Sequence, residues 1–142
     1  MLDPATILEI HQLLALYGHI IDEKDLSRLD EIYTPDGIFD LSSMGFPVAK
    51  GIDSIRDFLD IMHVQQRLDG VPNPLAHHAT NIVVTEDSPG LCQVLSKGIE
   101  FRGTENPKIN SIVYRDIVKK TPAGWRFVRR TASRLGFVDP AK

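Results

Sequence analysis

The most apolar helical pattern of this chain is interrupted by polar side chains in the stretch Leu13 to Asp25, above all Tyr17, His19, Asp22 and Asp25. A phenol, an imidazole and two carboxylates within about two turns are the residue types of general acid–base chemistry. On one amphipathic helix they form either a solvated face or one wall of a polar site set into an apolar cavity. The second polar feature is the pair His77-His78, which opens an apolar run continuing Ala79-Thr80-Asn81-Ile82-Val83-Val84. Successive strand residues point to opposite faces, so one histidine enters the interior and the other does not. The face of His78 also holds Thr80, Ile82 and Val84, whereas that of His77 holds Ala79, Asn81, Val83 and Thr85, so His78 is the expected inward residue. Diverging neighbours make a poor chelate, and no third ligand completes a metal cluster.

Asp22 is a pocket candidate set against a plain reading as a solvated helix-end carboxylate near Lys24, and Tyr17 is a pocket candidate set against a packing role in the apolar stripe. On an ideal helix the two stand roughly 140° apart and about 7.5 Å along the axis. They line one pocket only if the helix lies across its mouth. His11 and His19 project away from the stripe and are expected at the surface, and His63 suits the carboxyl end of its helix. Arg126, Arg129, Arg130 and Arg134 alternate between faces and are expected to be solvated or ion-paired, with Arg134 kept as a pocket candidate. Met44-Gly45-Phe46-Pro47 places apolar residues in a loop where nothing requires them, as a lid or lip would.

The elements that must position these groups follow from periodicity. Asp3-Pro4 is a helix start, and Ile7, Ile10, Leu14, Tyr17 and Ile21 recur at spacings of three and four. Asp25 is placed to cap a short helix carrying Leu26, Leu29 and Ile32, which ends before the turn cluster Thr34-Pro35-Asp36-Gly37. Gly37 to Leu41 reads as a first strand with Ile38 and Phe39, and Gly51 to Val64 as a helix. Beyond the breakers Gly70, Pro72 and Pro74 the period changes to two, and Ala76–Thr85, Leu91–Arg102, Asn110–Lys120 and Trp125–Leu135 are strand candidates. Their separators are short, so neighbours pair antiparallel. Helices first and a long-stranded meander afterwards predicts an α+β domain, a curved sheet folded over helices.

At 142 residues, with 42% hydrophobic and 25% charged residues, the chain reads as one globular domain, residues 1–142. A net charge of -3 supplies no electrostatic footprint for nucleic acid. A single cysteine, Cys92, leaves no internal disulfide framework or thiolate zinc site. No apolar run approaches the roughly 20 residues of a membrane span, and the N-terminus lacks the pattern of a signal peptide. A cytoplasmic protein is expected.

Tyr17-x4-Asp22, Asp25, the Tyr33-Thr34-Pro35-Asp36 turn, His78-Ala79-Thr80-Asn81 and the late Trp125-Arg126-Phe127, in this order of elements, resemble the SnoaL-like branch of the nuclear-transport-factor-2-like (NTF2-like) superfamily. The resemblance covers nearly the whole chain. It implies an NTF2-like cone, a curved antiparallel sheet wrapped around N-terminal helices and an internal pocket. Its members include scytalone dehydratase, bile-acid 7α-dehydratase and polyketide cyclases, with ketosteroid isomerase and limonene epoxide hydrolase more distant.

Carried over by residue, the resemblance makes Tyr17, Asp22 and His78 the catalytic set and places Arg134 on the last strand beside the substrate; Phe39 of the first strand and Met44 and Phe46 of the apolar loop are expected from the residues themselves as further substrate contacts. Ile21 stands where scytalone dehydratase has a tyrosine, and that enzyme's second pocket histidine has no counterpart here, which argues against scytalone itself as substrate. In the implied chemistry Asp22 fixes the tautomer of His78, the free nitrogen removes a proton alpha to a carbonyl, and Tyr17 donates to the oxygen that gains charge.

The implied function is a cofactor-independent lyase or isomerase, dehydratase- or cyclase-like, acting on a small apolar carbonyl-bearing ring compound, with no cofactor or metal. Two alternatives stand beside it: a non-catalytic ligand-binding or assembly module of the same fold, and an epoxide hydrolase-like enzyme using Asp22 with Asp40 or Glu100. The expected partners are a small apolar ligand or substrate and a second copy of the chain in a homodimer, with neither nucleic acid nor membrane.

Overall fold

Asp3 accepts hydrogen bonds from the backbone N–H groups of Ala5 at 2.8 Å and Thr6 at 3.1 Å, and Pro4 takes the first helical position, where no N–H is needed. Helix α1 then runs Pro4–Glu23 and ends where Lys24 turns left-handed at φ 58°, its N–H returning to the carbonyls of Ile20 and Ile21. That stop leaves Asp22 in the last helical turn. The computed structural model describes residues 1–68, 75–102 and 108–135.

A 3-10 turn at Leu26–Glu31 follows. Asp25 makes no capping bond to its backbone and instead accepts from the Ser27 hydroxyl at 2.7 Å. Strand β1, Tyr33–Asp40, begins earlier than periodicity suggests, because Thr34-Pro35-Asp36-Gly37 lies within it as an irregular stretch rather than a separate turn. Strand β2 (Val48–Lys50) and helix α2 (Ile52–Leu68) come next, then four long strands: β3 (Leu75–Ser88), β4 (Leu91–Arg102), β5 (Lys108–Thr121) and β6 (Gly124–Arg134). The separator Gly103 to Lys108 falls largely outside the described residues.

The six strands form one curved, unclosed sheet in the order β2-β1-β6-β5-β4-β3. The four long strands pair antiparallel, and β1 joins β6 in parallel. This is the α+β cone expected from helices first and a long meander afterwards. Helix α1 buries Ile10, Leu13, Leu14, Tyr17, Ile20 and Ile21 in the same core as Val94, Tyr114, Phe127 and Ala132 of the sheet.

Two contacts set the position of α1. Near its start, Glu9 accepts from the indole N–H of Trp125 at 3.0 Å and pairs with Lys120, tying the helix to the β5–β6 hairpin. Towards its end, Gly18 brings it against β3: a Cβ there would stand 3.0 Å from the carbonyl oxygen of His77. A side chain there would press on that carbonyl, and its absence lets the helix approach without a shift.

Candidate active site

One cross-strand row of the inner sheet face holds the chemistry. His77 on β3 pairs in register with Glu100 on β4, and Glu100 with Asn110 on β5. The His77 Nε2 lies 3.2 Å from Glu100 Oε1, and the Asn110 amide donates to Glu100 Oε2 at 2.9 Å. From the other side, Asp22 accepts from the backbone N–H of His77 at 2.8 Å through one oxygen, and lies 2.5 Å from Nδ1 through the other. Because β3 is an edge strand, its outward N–H has no strand partner, and Asp22 supplies the acceptor. The close approach at Gly18, one turn earlier on α1, puts that carboxylate within reach.

The inward histidine is therefore His77, not His78. Residue Asn81 adopts a left-handed conformation at φ 53°, and the β3–β4 register shifts between Thr80 and Val83. Such a bulge inserts one residue and exchanges the faces. Ile82 and Val84 do pack on the core, but across the bulge so does Ala79, the parity of His77. His78 is exposed and meets the ring of Phe101 edge-on at 5.4 Å.

His77 is mostly buried, and burial opposes its positive charge; Asp22 and Glu100 outweigh that cost and raise its pKa above the ordinary 6.5. The Nδ1–H is directed to Asp22, which leaves Nε2 to share a proton with Glu100 at the wall of an apolar cavity.

That cavity, of about 130 Å³, is bounded by Tyr17, Tyr114, Ile112 and Ala132 from helix and sheet and by Met44, Phe46, Phe58 and Met62 from the loop and α2. His63, Asn110 and Arg134 add polar groups to its lining. Met44, Phe46 and Arg134 thus border the cavity, whereas Phe39 does not. Phe39 lies behind Phe58, ring centroids 5.9 Å apart, buried in the core. Asp40 is also elsewhere, paired with Arg129 and accepting from Ser42 Oγ at 2.6 Å. Trp125 is bound to Glu9 and Phe101 is partly exposed, so neither is among the cavity's lining residues.

Tyr17 packs on His77 edge-to-face at 6.2 Å and touches the cavity. Its ring also covers the guanidinium of Arg130 at 4.0 Å, as does that of Tyr114 at 3.8 Å. Burial, countered by Arg130, raises the pKa of Tyr17 well above an ordinary phenol, so the hydroxyl keeps its proton at any working pH. Tyr114 takes its place because Gly98 leaves room: a Cβ on Gly98 would stand 2.5 Å from the Tyr114 ring.

Glu100 is expected from sequence only as a carboxylate of the epoxide hydrolase-like alternative, and Asn110, Tyr114 and His77 are not among the expected site residues. Three signals bear on them: Asn81 as a residue tolerant of a bulge, Gly18 as a gap in the helical stripe, and Gly98 in mid-strand.

A family model for the SnoaL-like domain matches residues 5–131. The chain belongs to the SnoaL-like domain family. An uncharacterised protein of Mycobacterium tuberculosis is 30% identical over 134 residues, covering 89% of this chain and 84% of the relative. Among solved structures, an NTF2-like protein with a cystatin-like fold from Novosphingobium aromaticivorans superposes with a TM-score of 0.80 at 28% identity, covering 95% of this chain and 85% of that one. A protein of unknown function from Mycobacterium tuberculosis gives a TM-score of 0.78 at 25% identity, covering 96% and 76%. Among the described residues no helix is long and apolar enough to cross a membrane.

Proposed function

We propose that this SnoaL-like chain is a cofactor-independent lyase or isomerase, dehydratase- or cyclase-like, acting on a small apolar carbonyl-bearing ring compound. The observation that carries this reading is the chain Asp22–His77–Glu100–Asn110 set into the wall of an apolar cavity. Asp22 orients the imidazole, and the His77–Glu100 pair takes a proton alpha to the carbonyl and returns one to the departing or migrating oxygen or carbon centre. Tyr17, with its hydroxyl kept protonated, donates to the oxygen on which enolate charge develops, in surroundings where a positioned donor counts for more than in water. Arg134 and Asn110 orient polar substituents, and Met44, Phe46 and Phe58 cover the ring.

Acid–base assistance of this kind supplies about 10²–10⁴-fold in rate, which suits an activated alpha-proton. The test is a turnover screen over hydroxy-ketones, steroid-like ketones and epoxides. His77→Ala and Asp22→Asn are expected to lower turnover sharply, His77→Ala by about 10²–10⁴-fold, and His78→Ala to retain it. Full turnover in both of the first two variants would remove the array from the chemistry.

A homodimer accompanies this proposal. Val83, Leu95 and Ile117 are exposed on adjacent strands of the outer sheet face, a patch suited to a second copy. Light scattering that finds only the 15.9 kDa species would refute it.

A further inference from the structure

His77 stands in the wall between two separate spaces. On one side lies the apolar cavity, bordered by Glu100. On the other lies an outer groove of about 860 Å³ between α1 and β3, bordered by Gly18, His19, Asp22, His78 and Ala79. Asp22 borders the groove and is absent from the cavity lining, whereas Glu100 borders the cavity and is absent from the groove lining. Their exposures agree: the Asp22 side chain is 22% exposed, His77 14% and Glu100 6%. The two ring nitrogens follow the same division, Nδ1 to Asp22 at 2.5 Å and Nε2 to Glu100 at 3.2 Å.

We propose that Asp22 is a proton port: protons that reach His77 from the cavity leave to water through Asp22 and the outer groove, not through the cavity mouth. An imidazole can accept a proton at one nitrogen while releasing one from the other, so a ring spanning a wall transmits a proton without turning. In the forward step Nε2 takes a proton from a group in the cavity, whose bonding electrons stay behind. The Nδ1 proton passes to the Asp22 carboxylate, which becomes a neutral acid and then protonates water in the groove. The ring is left neutral with its proton on Nε2. Reset returns that proton to a leaving oxygen in the cavity, and Nδ1 is reprotonated from the groove through Asp22, so one proton leaves and one returns per cycle.

The groups facing this path are distinct on each side. In the groove stand His11, His19 and His78, with His19 itself 3.7 Å from Glu23. In the cavity stand Glu100, His63, Tyr17 and Tyr114, with Arg134 as the cation. Arg130 lies under the two tyrosines. A shielded base would hand a substrate's proton back to the substrate, whereas a port exchanges it with solvent. The use of the port in turnover rests on the function proposed above, but its existence does not.

The test needs no substrate. In the 142-residue chain labelled with nitrogen-15, nuclear magnetic resonance follows exchange of the His77 Nδ1 proton with water. Asp22→Asn, which keeps an acceptor but cannot carry the proton, is expected to slow exchange at least tenfold. Met62→Trp, at the half-buried rim of the cavity, is expected to leave it within twofold. The reverse pattern overturns the proposal.

A second measurement uses the unaltered protein, so that a misfolded variant cannot decide the matter. Bulky HEPES and small imidazole buffers are expected to catalyse exchange within twofold of each other through the wide groove; catalysis by imidazole alone would assign access to the narrow cavity and refute the port. A failed turnover screen leaves this experiment standing, and a failed exchange experiment leaves the base chemistry standing.

Discussion

Two sets of charges lie under the same sheet, and the fold treats them in opposite ways. Towards the open end, Asp22, His77, Glu100 and Asn110 form a chain with both ring nitrogens of His77 engaged and a cavity alongside. Three rows further along β5, Arg130 and Asp116 pair at 3.1 Å, 1% and 3% exposed, with Arg130 enclosed by the rings of Tyr17, Tyr114 and Phe127. A guanidinium does not give up its proton in proteins, so the deep pair is a fixed support under the two tyrosines. An imidazole between two carboxylates holds a proton that it can exchange. The comparison teaches that burial by itself does not mark a reactive site; a movable proton beside an accessible space does.

The largest expected effect tests the reactive half. On any compound the protein converts, His77→Ala is expected to lose about 10²–10⁴-fold in turnover while His78→Ala stays within a few-fold, as read by steady-state kinetics. Equal losses would erase the distinction drawn by the bulge at Asn81.

The deep pair is expected to act on stability instead. Arg130→Met strands Asp116 in the core and is expected to cost about 3–5 kcal/mol in denaturant unfolding. Joint replacement by Asp116→Leu and Arg130→Met should recover most of that, because two apolar groups need no partner. A double variant no more stable than the single would show that the cation supports the aromatic cage through more than its charge.

Gly98→Ala sits between the two halves. The added methyl meets the Tyr114 ring, and overpacking of this kind costs about 1–3 kcal/mol, measurable as a lowered melting temperature.

The smallest effect is the pH dependence. The pKa of His77 is raised in the fold, so the stability from its two carboxylates is fully present below the unfolded value of 6.5 and is lost as pH rises through the folded value. Asp116 is raised by burial to about 7 against the pull of Arg130, so its contribution is fully present below 3.8 and lost as pH rises towards 7. Melting temperatures across this range in the unaltered protein and in His77→Gln separate the two: the upper limb should vanish in the variant and the lower one remain. Persistence of the upper limb would remove His77 as its source.

Periodicity carries far along this chain because it reports local geometry. The stripe from Ile10 to Ile21 needs only the helical repeat to declare a buried face, and the four long strands need only alternation between turn clusters. Of the residues that the resemblance to SnoaL-like proteins names, Tyr17 and Arg134 border the cavity and Asp22 borders the outer groove. Asp25 holds the N-cap position of the Leu26–Glu31 turn with its carboxylate bound locally to Ser27 rather than to the backbone, whereas tertiary pairing overrides local propensity at the Thr34–Gly37 cluster: β1 is drawn into line between β2 and β6 through residues that would otherwise turn.

What the chain determined by itself is the set of elements, the buried stripe of α1 and the residue types available for acid–base chemistry. Which histidine faces inward depended on one bulged residue, since a slip of one position exchanges every side chain between the faces of a strand. Which side of that histidine Asp22 occupies depended on how closely α1 approaches β3, and Gly18 sets that approach in three dimensions. Tyr17 and Asp22 do not share a pocket as neighbours. They stand on either side of His77, one at the cavity and one at the outer groove, because a helix crossing an edge strand presents its two faces to two different spaces.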